Sequence, residues 1–188
     1  MICDDGGFNS LFFGDHDDSD YYIEVDVYLW DQGAVGGFET TGIGSRVARD
    51  DGTSITEYSW CIDRTGGYSI FYDAMFKEVK AVRWITGNTS AIVTGRDSNA
   101  YVQFGDTIFD VTEGWHTMKI EARHSRIEFS FDGTVIANVE DSTFSSGRPG
   151  IYYRENGVDN NLERPGLFDN LRAGPATLVS GVADWTVY

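Results

Sequence analysis

The decade "YYIEVDVYLW", residues 21–30, decides the fold. Taken by twos, Tyr21, Ile23, Val25, Val27 and Leu29 make an apolar row, and Tyr22, Glu24, Asp26, Tyr28 and Trp30 make a second row. Side chains alternate across a β-strand, so the first row is a core face and the second points away from it. The second row carries two carboxylates among three aromatics. It reads three ways: as a catalytic strand, as a platform for sugars, or as the solvated side of a sheet.

The same period of two recurs along the chain, and helix-period stretches are nearly absent. Further strands are expected at 37–49, 55–63, 67–73, 77–85, 90–95, 101–105, 116–123, 126–140, 147–155 and 165–174. Asp132-Gly133, set between alternating runs, signals a two-residue hairpin turn. Residues 141–147 and 155–163 read as loops. Residues 1–19 read as an N-terminal arm with an acidic loop, and 175–188 as a C-terminal strand or arm. About a dozen short strands with turns between them call for an all-β, antiparallel, two-sheet sandwich. With no repeat and no Pro- or Ser-rich linker, residues 1–188 are expected to form one domain.

Composition narrows the function. Thirty acids against 14 bases give a net charge of −16, which repels nucleic acid and anionic membrane surfaces. No run approaches the ~20 apolar residues of a membrane-inserted helix. The opening "MICDDGGF" does not read as a leader. That leaves a cytoplasmic protein, a trimmed leader, or a domain of a longer chain. Cys3 and Cys61 do not form a zinc pattern; a disulfide and two separate thiols both remain open.

Three segments, "DYYIEVDVYL", "GWHTMKIEARHSRIEFSFDGTVIANVED" and "PGLFDNLRAGP", resemble in order and spacing the concanavalin A-like jelly-roll superfamily. That superfamily includes laminin-G-like modules, laminarinase-type glucanases and carbohydrate-binding modules. The resemblance implies two curved antiparallel sheets stacked face to face, with glycans lying across the concave one. It also implies an extracellular or cell-surface, lectin-like domain, of the kind found within larger multidomain proteins, and a structural calcium held partly by an Asp of the last strand. Asp169 in "GLFDNLR" matches that Asp. Simple alternation sets Asp169 beside Leu167 and Leu171, and a charge on an apolar face needs a partner or a metal. Calcium takes six to eight oxygens, and Asp4, Asp5 and Asn9 are candidates for the rest. The rival acidic segment at 13–20 lacks the Gly and Glu of an EF-hand loop and reads as a solvated loop.

Catalysis is disfavoured. The glucanase motif sets carboxylates by twos on one strand face, so that two of them flank one glycosidic bond. Glu24-Val-Asp26 begins that pattern, but Tyr28-Leu29 replaces the second Glu. His116 and His124 lie eight residues, or ~27 Å, apart along a strand and cannot share a metal. No nucleophile elbow or phosphate loop is present. A hydrolase or lyase with scattered site residues stays as an alternative, as does a structural domain that binds no sugar.

The expected function is glycan binding by exposed aromatics. The candidate ligand-binding residues are Tyr22, Glu24, Asp26, Tyr28, Trp30 and Trp84, with Trp60 and Tyr153 as further aromatics. Trp115 is expected to anchor the core or a loop.

Overall fold

A computed structural model describes residues 2–5, 8–30, 40–47, 66–74, 76–84, 101–154, 166–176 and 185–186. Its strands are β1 (Ile2–Asp5), β2 (Phe8–Phe12), β3 (Tyr21–Leu29), β4 (Thr40–Val47), β5 (Gly67–Asp73), β6 (Glu78–Trp84) and β7 (Tyr101–Ile108). They continue as β8 (Gly114–Arg123), β9 (Arg126–Phe131), β10 (Thr134–Glu140), β11 (Arg148–Arg154), β12 (Phe168–Pro175) and β13 (Trp185–Thr186). The expected strands at 55–63 and 90–95, and Trp60, lie outside the described residues, as does Cys61.

The strands form two antiparallel sheets. One has seven strands in the order β1-β2-β11-β4-β5-β6-β7, and the other has six in the order β10-β9-β8-β3-β12-β13. Residues 2–5 and 8–12, expected in an arm, supply the two outermost strands on one side of the larger sheet. The short β13 pairs with β12 through Arg172–Thr186 and Ala173–Trp185, which puts a strand in the C-terminal tail.

The opening decade behaves as its period demands. β3 alternates buried and half-buried residues from end to end, and Ile23, Val25, Val27 and Leu29 are wholly buried. Register extends each into a row across the sheet: Ile23 lies beside Ile120 and Ile120 beside Phe129, while Val25 lies beside Met118 and Met118 beside Phe131. The facing sheet contributes Ile43, Ile70 and Ala81, which share one row, together with Tyr68, Tyr72 and Val79. Burying each such aliphatic side chain stabilises the fold by about 1.5–3 kcal/mol, so an Asp at Val25 would break the sandwich at its centre. Two tight turns fix the register of β8, β9 and β10. His124 has φ 51 in the first; Asp132 and Gly133 have φ 48 and 74 in the second, the left-handed pair that a two-residue hairpin needs.

β5 shows a different pattern. All seven of its residues are buried, so the larger sheet is covered on both faces. Sequence agrees, since "GYSIFYD" is an almost uncharged run where β3 has an alternating one.

Candidate functional site

The candidate residues divide between opposite sides of the sandwich. Tyr22, Glu24, Asp26, Tyr28 and Trp30 line the outer face of the six-stranded sheet. Trp84 belongs to the outer face of the seven-stranded sheet, because Val79 and Ala81 of the same strand point into the core and Trp84 alternates with them. These six residues therefore do not make one site.

Trp84 is only 9% exposed. Its ring contacts Phe71 at 5.7 Å and Tyr101 at 5.6 Å. Further along that face, Tyr152 Oη and Ser69 Oγ lie 2.6 Å apart. Gly42 makes room for the Tyr152 ring, since a Cβ there would stand 2.8 Å from its Cζ. Phe12, Phe71, Val82 and Tyr152 are buried with Trp84 and form a packed layer. Tyr153, expected on a solvent face, is also buried.

On the six-stranded sheet, hydrogen bonds and ion pairs occupy most of the polar row. Asp26 accepts hydrogen bonds from Thr117 Oγ1 at 2.6 Å and from Asn170 Nδ2 at 2.7 Å. Glu24 stands 3.8 Å from Arg172. Lys119 reaches Glu121 at 3.0 Å and also lies over the Tyr22 ring, 5.4 Å from its centre. Arg126 pairs with Glu128 and donates to Asn138. Such pairs make a solvated sheet face soluble and well ordered. Both Glu24 and Asp26 thus carry partners among the described residues.

The far end of this face is different. Tyr28 and Trp30 pack with ring centres 4.4 Å apart and planes tilted by 54°, and Trp115 meets Tyr28 edge-on at 5.5 Å and 86°. Trp115, expected as an anchor, is 52% exposed. β8 pairs with β3 so that Trp115 sits directly beside Tyr28, which gives it a rigid mount. Tyr28 donates its hydroxyl to Glu113 at 3.2 Å. Partial loss of water and the Glu113 carboxylate both push the Tyr28 phenol above its ordinary pKa. The result is an aromatic notch with a carboxylate at its edge, held by regular strands. On the other side of β8, His116 lies beside the inward Val27 and stacks on Phe131, with its Nδ1 2.8 Å from Asp132.

The placement of Asp169 corrects the simple alternation. Asn170 takes φ 52, and the register of β12 against β3 shifts between Asp169 and Arg172. This bulge turns Phe168 and Leu171 towards the core, while Asp169, Asn170 and Arg172 are exposed. Asp169 therefore does not sit on an apolar face; it lies opposite Asp26 and accepts the Asn170 N–H at 2.7 Å. Among the described residues no group of three or more His, Cys, Asp and Glu is placed to hold an ion. The described donors around Asp169 do not by themselves make up a calcium shell. Asp4 and Asp5 lie in β1 and Asn9 in β2, strands of the other sheet.

No protein-family model matches the sequence, and no curated protein matches it. Solved structures do match. The carbohydrate-binding module CBM66 from Bacillus subtilis aligns over 90% of this chain and 83% of its own, with a TM-score of 0.55 and 17% identity. The Emp46p carbohydrate recognition domain, in its potassium-bound form, aligns over 79% and 71%, with a TM-score of 0.51 and 16% identity. A structure described under endo-acting O-glycanases of the human gut microbiota aligns over 82% and 63%, with a TM-score of 0.50 and 15% identity. The fold is the concanavalin A-like jelly roll. At these identities the likeness speaks for architecture, and that architecture serves binding modules and enzymes alike.

Proposed function

We propose that this jelly roll is a non-catalytic glycan-binding domain that takes its ligand in the notch of Tyr28, Trp30 and Trp115. The carrying observation is Trp115, a half-exposed indole mounted on a regular strand and packed edge-on against Tyr28. Aromatic faces stack on the apolar faces of sugar rings, and nearby polar groups bond the hydroxyls. Glu113, bonded to the Tyr28 hydroxyl, is the polar group beside the notch for that second task. The solved structures described as carbohydrate-binding support the same reading. Against the hydrolase alternative stands the engagement of Glu24 and Asp26 with Arg172, Thr117 and Asn170.

The test is a panel of soluble oligosaccharides with the wild-type chain and Trp115→Ala. Loss of a stacked indole should weaken binding by about tenfold or more, equivalent to about 1.4 kcal/mol. Tyr22→Ala, remote from the notch, should change it little. No binding across a broad panel overturns the reading, and so does Trp115→Ala binding as tightly as wild type.

A structural calcium with Asp169 as one ligand is a separate proposal, carried by the resemblance and by that exposed carboxylate. Its other donors would come from outside the described residues. Chelation should then lower Tm, because a ligand of the native state stabilises by mass action; an unchanged Tm removes the ion.

A further inference from the structure

Between the 13–20 loop and the end of β12 lies a pocket of about 480 Å3, lined by Phe13, Asp18, Asp20, Tyr21, Pro149 and Pro175 among others. It opens at the other end of β3 from the aromatic notch; Tyr21 and Tyr28 are seven residues, or ~23 Å, apart along the strand. Three backbone hydrogen bonds tie its walls together. The Phe13 N–H donates to Pro149 O at 3.1 Å, the Gly147 N–H to Asp18 O at 2.9 Å, and the Ala176 N–H to Asp20 O at 3.0 Å. Behind the wall, the buried Arg46 donates Nε–H to Ser19 O at 2.9 Å. The pocket is thus preformed and within the size range of small-ligand sites.

Its chemistry selects a ligand class. The walls are mainly apolar: the Phe13 ring, the Tyr21 ring and two prolines. Of the two carboxylates, Asp20 is engaged, by Arg46 at 3.5 Å, by the His124 N–H at 2.8 Å and by His124 Nδ1 at 3.2 Å. Asp18 is exposed; one of its oxygens accepts the Asp15 N–H at 2.9 Å, and the other has no partner among the described residues. An anion would be repelled. A neutral apolar body would fill the walls but gain nothing from the open oxygen of Asp18. A positive head on an apolar body answers both features.

We propose that this pocket binds small primary-ammonium compounds, with the ammonium on Asp18 and the apolar body against Phe13, Pro149 and Pro175. The proposal stands independently of glycan binding at the notch. An amino sugar and a plain alkylamine share the required chemistry, and the test separates them. The isotopically labelled full chain is titrated with hexylammonium and with glucosamine, each beside its uncharged counterpart, hexanol and N-acetylglucosamine, and read by amide NMR. At least one ammonium compound should move the Gly14, Asp18 and Gly174 amides saturably and bind at least tenfold tighter than its counterpart. Saturation by glucosamine alone assigns the pocket to amino sugars, and saturation by hexylammonium alone assigns it to alkylamines. Asp18→Asn keeps an oxygen for the Asp15 N–H and should lose that advantage, while Trp115→Ala should retain it. Equal binding of charged and uncharged partners at the pocket amides, no saturable shift of those amides, or an unaffected Asp18→Asn overturns the proposal, whatever shifts sugars produce at the notch. The same spectra show whether each variant is folded.

Discussion

Replacing Arg46 by Met is the sharpest test of how the loop end of this sandwich is held. Arg46 is fully buried. Its Nε–H donates to Ser19 O at 2.9 Å and Nη1 to Phe144 O at 3.1 Å, while Nη2 stands 3.5 Å from Asp20. One side chain therefore fastens the 13–20 loop and the 141–147 loop to β4. Burial draws its pKa below the usual arginine value, and the nearby phenols and Asp20 act against that. Each hydrogen bond from a charged donor contributes about 1.5–3 kcal/mol, and both carbonyl bonds are part-buried. The Asp20 contact adds little, because that carboxylate is one-third exposed and such pairs contribute about 0–1 kcal/mol. Opposing these losses, Met escapes the desolvation of a buried guanidinium, which often offsets several kcal/mol. The φ of 48 at this position strains both side chains alike and cancels. The net expectation is a loss of about 2–4 kcal/mol, because two charged-donor bonds are lost together. With a urea m-value of about 2 kcal/mol/M, the midpoint should fall by about 1–2 M at unchanged m. Asp20→Asn, which leaves both carbonyl bonds in place, should cost less. An Arg46→Met variant as stable as wild type would refute the assignment, since the carbonyl bonds would then contribute no more than the desolvation they require.

Two further outcomes follow from other parts of the fold. At Gly133 a Cβ would meet open space, so Gly133→Ala should cost only the left-handed backbone penalty, about 1 kcal/mol or ~2–4 °C in Tm. At Gly150 a Cβ would run into the Phe12 ring and Leu11 O, so Gly150→Ala should cost more, up to about 3 kcal/mol of overpacking; the reverse order, by thermal melts, would show that the Phe12 ring moves freely aside. Burial pushes the Tyr21 and Tyr68 phenols up to about 12. Between pH 10 and 12 the unfolded chain has released protons that the native state still holds, so stability is full below pH 10 and falls as pH rises. A spectroscopic titration of the ten tyrosines should show a late-ionising group that merges with the rest on unfolding; a single transition near the ordinary tyrosine pKa in the native protein counts against the burial of both.

Much of this architecture is legible in local pattern, and what is not has physical causes. The inward row of β3 and the Asp132-Gly133 turn follow from period and turn chemistry, which act over a few residues. The bulge at Asn170 does not. Nothing in "GLFDNLR" announces that Asn170 will adopt a left-handed conformation, and that one dihedral moves Asp169 from the core face to the outside. Trp84 escapes local pattern for a related reason: a strand covered on both faces gives its outer residues the same apolar character as its inner ones. For Trp115, alternation places the residue on a face but does not say whether neighbouring strands leave it open. The signal lies in the pairing. β8 runs beside β3, so a Trp preceding His116 must stand opposite the outward Tyr28.

That pairing also changes what the outward row can do. Along β3 the ion pairs and hydrogen bonds fall in sequence: Glu24 to Arg172, Asp26 to Thr117 and Asn170, and Tyr22 under Lys119. Each of these contacts lowers the capacity of its partners for a ligand, because a sugar hydroxyl must displace a bond already made. Only past Asp26 does the row place two aromatics side by side and gain a half-exposed neighbour, Trp115. Tilts of 54° and 86° prevent the three rings from lying flat together on an extended crystalline surface. They can instead enclose one ring of a soluble chain. The Glu113 carboxylate beside the notch disfavours polyanionic glycans for the same Coulombic reason that the whole chain disfavours nucleic acid. Under the proposed function, a neutral, soluble oligosaccharide is therefore the ligand that suits this end of the sheet.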